Sequence, residues 1–84
     1  MRLPIIKNVL DFIESNDEDY IHETIQVLES LAENPRLKDE ELDVIGELLS
    51  NLYGGIEVQN SIKNGVEKKT ALNEFMKRVS NSID

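Results

Sequence analysis

Apolar residues recur every three or four positions from Ile5 to Val79, and no segment alternates with period two for long. That spacing lines them along one side of a 3.6-residue helix and gives a strand no face to bury. The chain is therefore predicted to be all-α, and its breakers divide it into four helices. The first covers about 4–15 and opens at Pro4, whose missing N–H would be unpaired in a first turn anyway. Ile5, Ile6, Val9, Leu10, Phe12 and Ile13 span an arc of about 160° at 100° per residue, wider than the ~100° stripe of a surface helix.

The second helix is predicted over about 18–34. Ser15-Asn16-Asp17 supplies N-cap candidates, Ser15 with Glu18 fitting a capping box, and the acidic turn Asp17-Glu18-Asp19 suits the positive end of a helix dipole. Its apolar arc of Tyr20, Ile21, Ile25, Val27, Leu28, Leu31 and Ala32 is again wide, and Pro35 ends it. The third helix is predicted over about 39–64, capped by Asp39 with Glu40 and Glu41 in its first turn. Leu42, Ile45, Leu48, Leu49, Leu52, Tyr53 and Ile56 form one stripe. Beyond Ile56 the stripe shifts: Gln59 and Lys63 fall where it should continue, while Val58 and Ile62 lie on a neighbouring face. The shift follows Gly54-Gly55, so either one long helix kinks or packs closely there, or two helices meet. No proline or capping residue follows the glycines, which favours the long helix. Asn64-Gly65 supplies the stop, because glycine tolerates the left-handed turn that ends many helices. A last helix over about 67–80 carries Ala71, Leu72, Phe75, Met76, Val79 and Ile83 in a narrow stripe. The expected architecture is a single domain, 1–84: a small four-helix bundle made of an αα-hairpin, a long kinked helix and a short closing helix.

Size and composition narrow the classes. A chain of 84 residues buries a modest fraction of its surface. It contains no cysteine, which removes disulfides, thiolate metal sites and cysteine nucleophiles and makes the cytoplasm the expected location. Tight helix packing or oligomerisation is the usual compensation. No apolar run approaches the roughly 20 residues that span a bilayer, and the N-terminus makes a poor signal peptide. The net charge of −8 is uneven: residues 1–61 hold 4 basic and 14 acidic side chains, residues 62–84 hold 5 and 3. Nucleic-acid binding needs a basic face to displace counterions, so neither nucleic acid nor membrane is an expected partner.

No constellation of catalytic, cofactor or metal residues emerges. His22, the only histidine, falls on a polar side near Glu18 and Gln26. A zinc site needs three or four ligands, and Gln26 stands where a zincin helix has its second histidine. Asp17-Glu18-Asp19 and Asp39-Glu40-Glu41 lack the ligand spacing and central glycine of a calcium loop, and read as helix starts. No Glu-x-x-His pair exists for a di-iron bundle. Ser61, preceded by Asn60 and near a helix end, does not match the phosphopantetheine serine of acyl carrier proteins. Gly54-Gly55 lacks the lysine of a phosphate loop. Those glycines beside Tyr53 have two readings: close approach of another helix, or backbone open to a ligand. The basic tail residues Lys63, Lys68, Lys69, Lys77 and Arg78 are expected to complement the acidic body, within the chain or across a dimer.

The stretches Met1-Arg2-Leu3-Pro4, Asn16-Asp17-Glu18-Asp19-Tyr20, Leu42-Asp43-Val44-Ile45-Gly46-Glu47-Leu48 and Ala71-Leu72 with Phe75-Met76 give the chain a resemblance, over nearly its whole length, to a small all-helical family of Bacteroidetes proteins. That resemblance implies a bacterial, cytoplasmic setting and no established activity. The functional expectation is a non-enzymatic protein-interaction module acting as a homodimer, because wide apolar arcs on short helices leave surface to cover. The candidate interface is Ile5, Val9, Phe12, Tyr20, Val27, Tyr53, Gly54 and Gly55. One alternative is a ligand carrier or minor enzyme with a pocket near Tyr53–Gly55. The other is an acidic inhibitor, similar in size and charge to immunity proteins, that binds a basic partner.

Overall fold

The computed structural model describes residues 2–81, of Asn81 the backbone only; Met1 and Ile83 of the sequence reading lie outside the described residues. Four α-helices make up the described chain: α1 (Leu3–Ser15), α2 (Asp19–Ala32), α3 (Asp39–Lys63) and α4 (Lys68–Asn81). The helix α3 is continuous through Gly54-Gly55 and is the spine, packing against α1, α2 and α4 in turn.

Two boundary expectations are corrected. Of the candidates Ser15-Asn16-Asp17, Ser15 is the last residue of α1 and makes no capping box, whereas the Asp17 carboxylate accepts the Asp19 N–H at 3.0 Å and opens α2. Asp39 lies inside α3 rather than before it, and the Glu41 carboxylate accepts the Lys38 N–H at 2.9 Å. In both places an acidic side chain satisfies an otherwise orphan amide. The end of α3 follows expectation. Gly65 has φ 98°, its N–H donates to the Ile62 carbonyl, and the Val66 N–H reaches back to Ser61, both at 3.0 Å. This double closure is the Schellman pattern, and Val66 packs on the core beside it.

The apolar stripe shifts along α3 because the helix has different neighbours at its two ends. Leu49, Leu52 and Ile56 meet α2 and α1 through Val9, Ile13, Ile21 and Ile25. Val58 and Ile62 meet α1 and α4 through Ile6, Leu10, Ala71, Leu72 and Phe75. Between these two clusters α1 crosses α3 at Gly55, where a β-carbon would sit only 3.0 Å from Cβ of Val9. Close approach of a neighbouring helix therefore explains that glycine.

Polar contacts fasten the helices to one another. Lys68 pairs with Glu14 at 2.8 Å and Asp11 at 3.3 Å, which raises its pKa, chiefly through Glu14. Arg78 pairs with Glu57 and lies over the Phe75 ring. Lys63 pairs with Glu18 at 2.9 Å. Three of the five basic tail residues thus answer acidic residues within the chain.

Candidate interaction surface

The side chains of α3 at Val44, Leu48, Asn51, Gly55, Val58 and Ile62 follow one another at alternating four- and three-residue steps, so they form a single seam. Its lower part is covered: Asn51, Gly55 and Val58 are buried beneath α1 and α4. Its upper part is not, and Val44 and Leu48 are 59% and 42% exposed. On α2 the same steps connect Tyr20, Thr24, Val27 and Leu31. At the lower end Tyr20 meets Phe12 of α1 edge to face, with ring centroids 5.8 Å apart. Above it Val27 and Leu31 are 60% and 42% exposed.

The two seams lie on one face of the α2–α3 hairpin. Leu31, Leu37, Glu41, Val44 and Ile45 line one shallow hollow at its tip. Helical geometry gives the same answer, since each seam stands about a quarter-turn from the stripe by which its helix meets the other. The helix α1 covers the lower half of this face and stops. From Gln26 to Ser50 not one residue is buried, although this stretch holds Val27, Leu28, Leu31, Leu37, Leu42, Val44, Ile45, Leu48 and Leu49.

The residues singled out from sequence fall in three places. Val9, Gly54 and Gly55 are buried inside the chain, and Ile5 is half-buried. Phe12, Tyr20 and Val27 lie exposed on the seam face or at its edge. Tyr53, nine residues beyond Val44, stands on the opposite side of α3. There its hydroxyl donates to Glu29 at 2.5 Å, which raises its pKa. The ground above Gly55 is filled by Val9, which removes the room a ligand beside that glycine would need. Val44 was missed because it does not belong to the α2-facing stripe, and the four-three spacing through Asn51 was the signal available; Leu37 lies in the connection before α3, where no helical spacing marks it.

Asn51 was missed too. It is fully buried, its Oδ1 accepts the Arg2 N–H at 3.0 Å, and its Nδ2 donates to the Glu47 carbonyl at 2.8 Å. It ties the start of α1 to α3 where the covered half of the seam ends. The His22 ring N–H donates to the Glu18 carboxylate at 2.8 Å. With Lys63 on the other carboxylate oxygen, these contacts hold the Glu18 carboxyl below its usual range, His22 contributing most. Among the described residues no three His, Asp or Glu side chains are grouped to hold a metal ion, and no helix is long and apolar enough to cross a membrane.

No curated protein and no solved structure matches this chain. A protein-family model does, over residues 1–84, and the chain accordingly belongs to DUF6952, a family of unknown function.

Proposed function

We propose that the protein is a non-enzymatic helical interaction module whose working form is a homodimer. The observation that carries this reading is the hairpin from Gln26 to Ser50, rich in apolar residues and without a single buried one. A helical pair whose apolar residues are at most half-buried leaves much of its hydrophobic gain unrealised unless something covers it. The dimensions support the same reading. The chain measures 43 × 34 × 18 Å, with a radius of gyration of 13.7 Å, where a compact chain of this length has about 12 Å. Its acidic, cysteine-free composition supports a cytoplasmic setting.

The test is the mass in solution. Light scattering coupled to gel filtration at micromolar concentration should give twice the 9.6 kDa of the chain. A mass of one chain across that range would overturn the proposal.

A further inference from the structure

We infer that the bare upper half of the seam face, centred on Val27, Leu31, Val44 and Leu48, is where a second copy of this chain docks, as an isologous pair of α2–α3 hairpins. The inference rests on the homodimer reading above and adds the surface and its geometry. Three observations select a second copy as the occupant.

The first is area. The chain exposes 5887 Å², against about 5,100 Å² for a compact monomer of its mass. The excess is on the order of 800 Å², about one partner's share of a standard interface. The second is pattern. Two adjacent antiparallel helices each present apolar residues at four-three spacing, which is half of a four-helix bundle; an identical half, turned about a two-fold axis, supplies the rest. The third is continuity. The bare seam extends the seam that α1 and α4 cover lower down, so the docked helices would take the place on Val44 and Leu48 that α1 takes on Gly55 and Val58.

Charge gives the arrangement a signature. The start of α3 carries Asp39, Glu40, Glu41, Asp43 and Glu47, while Arg36 and Lys38 are the only basic residues between Gln26 and Ser50. Two copies therefore meet with acidic rims facing, and the repulsion is screened once the Debye length falls to about 8 Å at physiological ionic strength. Association of identical copies strengthens as salt rises from low values. A basic partner on the same face would show the opposite slope.

The experiment uses Val27→Glu and Val44→Glu, one on each helix and both at exposed positions that should leave the fold intact, with Lys77→Glu on α4 as control. Circular dichroism checks that helicity is kept, and sedimentation gives Kd across a salt series. Each face variant should raise Kd about a hundredfold or more, because every dimer would bury two uncompensated carboxylates. The control should match the parent, and the parent's Kd should fall as salt is added. As the chain has no cysteine, Leu31→Cys and Leu48→Cys each offer one thiol, and a short bismaleimide should join two chains through them. A parent dimer that survives both glutamates and resists crosslinking would place the interface elsewhere while leaving the homodimer reading standing. A monomeric parent would remove the reading itself. A face that stays empty until a basic protein fills it would overturn the choice of occupant.

Discussion

A β-carbon on Gly55 has nowhere to go. Its nearest neighbours are the Cβ and methyl groups of Val9, a residue that is 6% exposed and, being β-branched, has few rotamers to move into. Gly55→Ala gains about 1 kcal/mol of helix propensity and loses about 1–3 kcal/mol to overpacking. With the obstacle a stiff branch rather than a flexible chain end, the steric side wins. The thermal midpoint should therefore fall, by about 4–8 °C for each net kcal/mol in a domain of this size. The contact is isolated by a double-mutant cycle. Val9→Ala alone opens a cavity; adding Gly55→Ala puts a methyl into the vacated space, so the double variant should melt above Val9→Ala. Should Gly55→Ala melt at or above the parent, and the double variant below Val9→Ala, crowding at this crossing is not what the glycine relieves.

At the scale of elements, the junction to watch is Glu18, where the turn between α1 and α2 is clasped to the last turn of α3. His22 and Lys63 both hold its carboxylate in the charged form, and its pKa is lowered in the folded chain. The sign follows: the stabilisation is present above the unfolded carboxylate value and is lost as pH falls through the lowered folded value. Urea midpoints of the parent and Glu18→Gln should differ at about pH 7, and the gap should shrink progressively as pH falls below the unfolded carboxylate value of about 4.3. A gap of constant size across that range would sink this account. The element boundaries themselves were legible to within a residue or two, because Pro4, Pro35 and Gly65 act through local backbone sterics that need no tertiary partner. The two misplaced caps show the limit of that legibility. Ser15 and Asp39 are good capping residues, but which acidic side chain reaches which amide depends on the path of the turn. The seam on α3 was half legible for a related reason. A helix with one neighbour shows one stripe, whereas α3 has three, and its apolar residues read as a shifted stripe until the neighbours are placed. Asn51 was hidden by the rule that polar residues face water, and only its burial under Arg2 exposes the exception.

For the whole molecule the question is where its cooperativity comes from. The buried residues fall into two clusters, both on the lower half of α3 with α1, α4 and the start of α2; the hairpin from Gln26 to Ser50 contributes to neither a fully buried side chain. If a second copy supplies the missing contacts, association is linked to folding, and stability rises with concentration. A tenfold increase then stabilises the folded dimer by about 1.4 kcal/mol. Divided by the unfolding entropy of two 84-residue chains, at about 2.1 cal/mol/K per residue, that is a rise of about 4 °C in the thermal midpoint for each decade. Val27→Glu should abolish the slope and melt at one temperature throughout, near or below the parent's lowest value. Calorimetry over two decades of concentration distinguishes the cases directly. A parent midpoint that does not move would mean that the lower clusters fold the chain alone, and that the exposed hairpin is a tolerated cost of some other role.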